Sequence, residues 1–382
     1  MMNWETDHII TYMGNKRKIV PHIEEIVIAI KARMGKDKIS IGEGFSGSGV
    51  VSRMFKKHAD KLYVNDIAGY SNTLNKCYLT NPDNEMRALI TEHIIQANRV
   101  INENNSEPEC GKYIQGNWSP SKEVITKDDR VYFTKENGRR IDEYRAYINK
   151  LPDTIRPFLL APLLVEASKH NNCSGNFAAY YKKDGIGCFG GKNGIDVKRI
   201  MQNIELIEPQ FLINGCEVFI EKEDVSEWIA KTPKMDLVYY DPPYNKHPYH
   251  IYYFMLDIIN NWDVDIKIPK TFRGQPKQWT QSAYNSYTKA SSEFETLIKN
   301  TNAKFILVSY NNEGIINEAD MKTILGKYGV VSETNINHNI YNRMRGIAKY
   351  KKVSSTGDCD GKDDKDDKDD KVKESLYLLE KI

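Results

Sequence analysis

The sequence predicts an α/β fold of the Rossmann-like kind, and three observations lead to that prediction. A glycine-rich stretch at 43–49 stands between a short apolar run and a segment with helical spacing. A second apolar run ends in Asp66, and a third, Met235–Tyr240, ends in Asp241. Because the carboxyl ends of parallel strands meet at one edge of an open sheet, where such folds bind ligands, these acids are candidate site residues.

The glycine-rich stretch is predicted to connect the first strand, around residues 39–41, to a helix that contains Val50, Val51, Met54 and Phe55. Closely spaced glycines let a ligand approach the backbone, and the helix N-terminus adds a favourable dipole. The second strand, residues 62–66, would then present an acid to ribose hydroxyls about 20 residues on. Asp66 is alternatively a cap for the following helix.

Glycine loops of this kind also bind NAD, so the cofactor is not decided by fold class alone. Here Phe45 precedes a Gly-x-Gly pair, and neither a phosphate-anchoring lysine nor a third spaced glycine follows. This pattern favours a sulfonium nucleoside without phosphates.

The residues Asp241-Pro242-Pro243-Tyr244 suit chemistry on the exocyclic amine of a base taken out of its helix. Such an amine is a poor nucleophile, because its lone pair is delocalised into the ring. The Asp241 carboxylate and the Pro242 carbonyl would each accept one N–H of the amine as the transition state forms. Tyr244 would supply a stacking surface. The alternative is that the prolines only end a strand.

The chain also carries several motifs in a fixed order: Tyr12-Met13-Gly14-Asn15-Lys16, Phe45-Ser46-Gly47-Ser48-Gly49, Asp66 and Asp241-Pro242-Pro243-Tyr244. In this order they resemble the N6-adenine DNA methyltransferases of the Dam type. Residues 132–134 and 172–175 extend the similarity to modification methyltransferases of restriction-modification systems. The resemblance implies an alpha-class arrangement, in which the cofactor segment comes first, target recognition second and catalysis last.

The resemblance implies roles for individual residues, with S-adenosylmethionine as the cofactor. Asp66 would hold the ribose, Asp224 the adenine amino group of the cofactor, and Glu43, where family members often have aspartate, its methionine amino group. The remaining cofactor residues would be Tyr12, Gly14, Lys16, Phe45, Gly47 and Gly49. The catalytic residues would be Asp241, Pro242 and Tyr244, and no metal ion is required.

Methyltransferase sheets of this type are seven-stranded and mixed, and they end in an antiparallel hairpin, for which residues 330–336 and 374–379 are the candidates. Residues 1–80 and 216–382 would then form the catalytic domain. Too many residues separate Asp66 from the catalytic strand for a minimal nucleotide fold, so 81–215 is predicted to be an inserted, mainly helical target-recognition lobe. Helical spacing occurs at 90–101, 141–151 and 157–167, and 174–192 is predicted to be a loop that touches DNA.

The formal net charge is +2, but the chain outside one acidic segment is clearly basic. Residues 358–371 contain eight Asp and four Lys, a local charge of −4, which leaves +6 for the rest of the chain. This low-complexity part, 356–372, is expected to be a disordered acidic loop. Basic residues near the predicted site suit contact with DNA phosphates, and the candidates are Lys182, Lys183, Lys246, Arg273, Arg343 and Arg345.

Composition favours an enzyme of the cytoplasm, because no apolar run reaches the ~20 residues of a membrane span and the N-terminus lacks a signal-peptide core. The 6 cysteines are scattered without a Cys-x-x-Cys pair, which argues against a zinc site and a disulfide framework. The expected partners are double-stranded DNA with a short recognition sequence and a cognate restriction endonuclease.

These features together predict a site-specific DNA adenine-N6 methyltransferase. Transfer to the N4 amine of cytosine is the first alternative, although enzymes that act there more often have serine in place of Asp241. RNA in place of DNA as the substrate is the next alternative. A catalytically silent DNA-binding subunit would need neither Asp241 nor the glycine loop, and a nicotinamide oxidoreductase would bind NAD instead of S-adenosylmethionine.

Overall fold

A computed structural model describes residues 9–14, 16–103, 111–277, 282–339 and 371–382, and its centre is one mixed sheet of seven strands. The strand order is β5-β2-β1-β6-β7-β9-β8, which confirms the predicted fold class. A separate two-stranded hairpin, β3–β4, lies outside this sheet. The strands are β1 (Ile39–Glu43), β2 (Ala59–Asn65), β3 (Lys182–Lys183), β4 (Ile186–Gly187), β5 (Glu217–Glu221), β6 (Met235–Tyr240), β7 (Ala303–Asn311), β8 (Gly329–Asn339) and β9 (Lys371–Lys381).

The direction of the strands locates the functional edge of the sheet. Strands β5, β2, β1, β6 and β7 are parallel to one another, whereas β9 is antiparallel to both β7 and β8. The strand β8 therefore runs in the direction of β7, and its last residues lie on the carboxyl edge, as the predicted hairpin requires. Residues 340–370, which include Arg343, Arg345 and most of the acidic segment, lie outside the described residues.

Helices cover both faces of the sheet and build the region between β2 and β5. Their starts follow local signals: Gly49, in a left-handed conformation, immediately precedes α2, and the Thr134 hydroxyl accepts from the Asn137 N–H at the start of α6. This cap explains why α6 begins six residues before the predicted 141. No helix of the described ranges is long and apolar enough to cross a membrane. The helices are α1 (Val20–Met34), α2 (Val50–His58), α3 (Gly69–Tyr78), α4 (Asn84–Glu103), α5 (Tyr113–Trp118), α6 (Lys135–Asn149), α7 (Arg156–Lys169), α8 (Val197–Met201), α9 (Val225–Lys231), α10 (His250–Asn261), α11 (Ala290–Asn300) and α12 (Glu318–Gly326).

Each face of the sheet buries its own apolar cluster. On β6, Leu237 and Tyr239 belong to the cluster that includes α1 and α2, whereas Val238 and Tyr240 belong to the cluster that includes α9 and α11. Successive side chains of a strand point to opposite faces, so a strand covered on both sides is apolar throughout. The central position of β6 fixes the place of Asp241 directly after it.

The region from 81 to 215 contains α4 to α8 and the β3–β4 hairpin. Its apolar residues join one cluster with α3 and α10, which pack beside the sheet. The segment 174–192, predicted to be a loop, contains this short hairpin, in which Lys182 and Lys183 pair with Gly187 and Ile186. Assignment of the region as a separate recognition lobe remains a prediction.

Candidate active site

The site lies where the strand order changes direction, between β1 and β6. The Gly44 N–H after β1 donates to the Tyr239 carbonyl of β6 (3.1 Å), so the two strand ends are side by side. Open α/β sheets bind ligands at such switch points, at the carboxyl ends of the strands. The structure brings Glu43, Asp66 and Asp241 together here, because Glu43 ends β1 and the two aspartates follow β2 and β6, the strands on either side of it.

The glycine loop forms a narrow turn that other residues would not fit. Gly47 and Gly49 have φ angles of +52° and +73°, which disfavour L side chains. A Cβ on Gly47 would lie 2.9 Å from the Tyr12 ring, and one on Gly49 would collide with the Asn75 side chain. The two glycines therefore let Tyr12 and the α3 residue Asn75 pack directly against the backbone of the loop.

Asp66 binds two backbone groups of this turn. One carboxylate oxygen accepts from the Gly47 N–H (2.7 Å) and the other from the Ala68 N–H (2.9 Å), at the start of α3. Burial raises the pKa of Asp66, and these two hydrogen bonds lower it. Asp66 therefore holds the turn before α3 and is not its cap, since Ala68 is the N-cap and no side chain of the described residues caps the helix; a ribose contact remains a prediction.

Glu43 is almost fully buried, with 1% of its surface exposed, and the Ser52 hydroxyl donates to it. Burial raises its pKa well above the ordinary value, and Asp241 and Asp66 raise it further. Burial and the two neighbouring acids thus favour the protonated form of the Glu43 carboxyl.

Aromatic rings form the walls of the site. Tyr12 stacks on Tyr253 of α10 (centroids 4.7 Å apart), and its hydroxyl lies 3.2 Å from that of Tyr70. On the other side, Phe45 meets Tyr284 edge to face at 5.3 Å. Sequence reasoning did not identify Tyr70, Tyr253 or Tyr284. The four-residue spacing of Tyr249 and Tyr253 on one helix face was the available signal.

The Asp241 carboxylate is held by a buried lysine. Lys16 Nζ lies 2.9 Å from Asp241 Oδ1 and 2.9 Å from Glu374 Oε1, and it is 6% exposed. Burial raises the pKa of Asp241 to about 7, Lys16 opposes this shift and Glu374 adds to it. Besides the Lys16 ammonium, no described residue donates a hydrogen bond to Asp241 Oδ1, and a carboxylate oxygen has more than one lone pair. It therefore retains acceptor capacity.

Tyr244 stands beside this carboxylate. The Lys16 ammonium lies 5.4 Å from its ring centroid, and Tyr310 meets it edge to face at 6.1 Å. Gly14 lies against the Tyr244 hydroxyl and has a φ of +69°. Tyr12, Gly14 and Lys16 thus contact residues of both the glycine loop and the catalytic segment, which explains why they occur as one motif.

Asp224 follows β5 as the N-cap of α9, where it accepts from the Ser226 N–H at 2.9 Å. Its side chain is exposed at the same edge of the sheet as Glu43. Burial raises the pKa of Tyr284 and the charge of Asp224 raises it further, so Asp224 lies near this tyrosine, whose ring contacts Phe45. A cofactor contact at Asp224 remains a prediction.

Two of the candidate DNA-binding residues, Lys182 and Arg273, lie against the same exposed aromatic ring, that of Phe272. Lys182 Nζ lies 4.3 Å from the centroid of Phe272, and the Arg273 guanidinium lies 5.2 Å from it. Phe272 is 48% exposed. Lys183 and Lys246 are exposed elsewhere, and Arg343 and Arg345 lie outside the described residues. Across the described ranges, no group of three His, Cys, Asp or Glu residues is placed to hold a metal ion.

The arrangement can polarise an amine that carries two N–H groups. The Asp241 carboxylate, which Lys16 contacts at 2.9 Å, and the Pro242 carbonyl directly follow the central strand β6. A planar ring stacked on Tyr244 would bring its amine to these acceptors, next to a glycine loop and three acids.

Comparison with known proteins places this geometry in a family. Residues 12–324 match the family model described as D12 class N6 adenine-specific DNA methyltransferase. The chain is 26% identical over 324 residues to the type II methyltransferase M.NlaIII of Neisseria lactamica, with 83% of this chain and 88% of the relative covered. It is 27% identical to the modification methylase StsI of Streptococcus sanguinis and 26% identical to the type II methyltransferase M.FokI of Planomicrobium okeanokoites; each match covers 90% of this chain and 50% of the relative.

Proposed function

Because the chain belongs to the D12 class of N6 adenine-specific DNA methyltransferases, we propose that it methylates adenine N6 within a short DNA sequence, using S-adenosylmethionine. The methyl group passes directly to the amine of a flipped-out base. Asp241 and Pro242 accept the two N6–H groups, and Tyr244 stacks on the base. The observation that carries this proposal is the Asp241 carboxylate directly after the central strand, which Lys16 contacts at 2.9 Å and which lies beside the Pro242 carbonyl and the Tyr244 ring.

The residues present fit the proposed cofactor. The turn at Gly47 and Gly49, whose positive φ angles favour glycine, lies at the carboxyl edge where open α/β sheets bind ligands. The carboxyl oxygens of Glu43 and Asp66 can accept hydrogen bonds from an amino group and from ribose hydroxyls. When bound, S-adenosylmethionine supplies an activated methyl group on a cationic sulfur. Glu43 would bind its amino group, Asp66 its ribose, and Phe45 and Asp224 its adenine, with Tyr12, Gly14 and Lys16 around them.

The proposed substrate is double-stranded DNA in the cytoplasm, and the proposed biological role is to protect it from a cognate restriction endonuclease. This role is supported by relatives named as type II methyltransferases and modification methylases. Lys182 and Arg273, which flank Phe272, are suited to phosphate contacts, and Lys183, Lys246, Arg343 and Arg345 are further candidates.

Long-read sequencing that detects base modification would test the proposal. DNA from cells that express the full chain should carry N6-methyladenine in one short motif, and DNA from cells with an empty vector should not. N4-methylcytosine instead would make cytosine the substrate. If no mark appears on DNA although the purified chain binds both DNA and S-adenosylmethionine, the silent-subunit alternative would replace the proposal.

Gly14→Ala should impair methylation beyond its effect on stability. An alanine at φ +69° loses about 1–2 kcal/mol of folding free energy, and its Cβ would displace the Tyr244 hydroxyl. Gly35 is the matched control, because it has a φ of +63° but nothing within 4 Å of the added Cβ. We expect both variants to lose similar stability in urea unfolding, whereas only Gly14→Ala loses methylation rate. Equal rates in the two folded variants would contradict this account of Gly14.

A further inference from the structure

A second carboxylate, Glu374, lies next to the reacting group. It is on β9, is 4% exposed, and its Oε1 is 2.9 Å from Lys16 Nζ. The Ser309 hydroxyl of β7, itself fully buried, donates to the same oxygen at 2.6 Å. Lys16 thus lies between two carboxylates, one from the catalytic segment and one from the C-terminal hairpin.

The sheet fixes this contact across three strands. In the register, Asn311 is opposite Glu374 and Ser309 is opposite Leu376, so Ser309 and Glu374 are diagonal neighbours on one face. Asp241 follows the β6 residue Tyr240, which is paired with Val308 of β7. Glu374 shares its face with Leu376, an apolar core residue. A buried ion pair at such a position is often no more stable than an apolar one, so stability alone does not explain the glutamate.

The charges of the cluster suggest what Glu374 does. A Lys16–Asp241 pair by itself would be neutral, and the ammonium would withdraw electron density from the carboxylate that must accept the amine. With Glu374 present, one cation is shared between two anions, and the cluster keeps a net negative charge. The amine becomes positively charged as it gains a methyl group, so a negative cluster favours the transition state.

We propose that Glu374 is a positioning residue for methyl transfer: it shares the Lys16 ammonium with Asp241, so that Lys16 orients the Asp241 carboxylate without neutralising it. This inference rests on the proposed function. It assigns to the C-terminal hairpin a part in the reaction, whereas the family match ends at residue 324. Ser309 supports this role by fixing the carboxylate oxygen that Lys16 contacts.

The pH dependence of the reaction should report this arrangement. Besides Lys16 and Glu374, the titratable groups around Asp241 are Glu43 and the phenols of Tyr239, Tyr244, Tyr249 and Tyr310. Burial raises the pKa of each phenol, so all four stay neutral near pH 7. The charge of Glu374 raises the pKa of Asp241. Because the carboxylate is the active form, the rate should fall as the pH drops through this raised pKa, and the fall should move to lower pH when Glu374 loses its charge.

The test is single-turnover methylation of a duplex that carries the motif found by sequencing, with S-adenosylmethionine in excess and over a range of pH. Glu374→Gln keeps the shape and an acceptor for Ser309 but removes the charge. We expect its rate on the alkaline side to fall about tenfold or more, and the acid limb of its profile to move to lower pH, with unchanged DNA affinity. Glu374→Asp, which keeps the charge, should retain the wild-type acid limb.

Glu380→Gln is the matched control, since Glu380 is on the same strand and forms an exposed ion pair with Arg33. It should leave the rate and the profile unchanged. Ser309→Ala provides a second variant if Glu374→Gln does not fold, and it should lower the rate because Glu374 is no longer fixed. The inference is overturned if Glu374→Gln, or Ser309→Ala in its place, keeps the wild-type rate, or if the Glu374→Gln rate falls with no movement of the acid limb. An inactive wild-type chain would instead overturn the proposed function itself.

Discussion

Asp241→Ala should abolish most of the methyl transfer without unfolding the chain. The variant loses the acceptor that polarises the amine, and removal of one such transition-state contact lowers rates by about 100- to 1,000-fold. The fold should persist, because Lys16 keeps its ion pair with Glu374 at 2.9 Å and no buried cation is left unpaired. The measurement is the single-turnover rate on duplex DNA, with DNA affinity measured separately.

The other end of the same strand offers a matched control. Asp236 on β6 binds Lys36 (2.8 Å) and the Ser40 N–H (2.9 Å), at the edge of the sheet opposite to the site. Asp236→Ala should therefore reduce stability by about 1 kcal/mol, through the lost hydrogen bonds, and leave the rate of the folded enzyme unchanged. A catalytic role for Asp241 would be excluded if both variants methylated DNA at similar rates.

The sequence contained enough information to predict the sheet, because the patterns involved are local. The apolar run before Asp241 and the glycines before α2 each appear within about ten residues, and the structure confirms these elements together with the final hairpin, which the family resemblance implied. The hairpin strands are longer than predicted, however. The strand β8 continues past Ile336 to Asn339 through three consecutive polar residues, and pairing with β9 holds it. Polar edge strands carry little hydrophobic signal.

The cluster around Lys16 could not be predicted in the same way, because its members are far apart in the chain. Lys16, Asp241 and Glu374 meet only through the strand order β6-β7-β9. Glu374 also follows a charged, low-complexity stretch, so its sequence context predicts a solvent-exposed acid. The signal that could have identified it is its alternation with Leu376 and Leu378, since an acid in phase with core residues must find a buried partner.

Tyr244→Ala should give the second large loss of activity, because it removes the ring on which the flipped base stacks. It does not remove an acceptor for the amine. Stacking of a base on an aromatic ring contributes about 1–3 kcal/mol, so the rate should fall about 5- to 150-fold. The ring also packs against Lys16 and Tyr310, whereas its hydroxyl contacts Gly14 and the Tyr249 side chain. Tyr244→Phe should therefore stay close to the wild-type rate. The measurement is single-turnover methylation, with the exposed tyrosine variant Tyr287→Ala as a control.

A mispaired target distinguishes base stacking from a general disturbance of the site. A mismatched adenine is easier to extrude, so its flipped state depends less on the stacking surface. We therefore expect a mismatch to recover part of the Tyr244→Ala loss. It should recover none of the Asp241→Ala loss, because polarisation of the amine follows extrusion. If the mismatch rescued neither variant, or rescued both equally, Tyr244 would not act by stacking on the flipped base. Selective rescue would assign the two neighbouring residues to successive steps, with Tyr244 holding the base and Asp241 activating its amine.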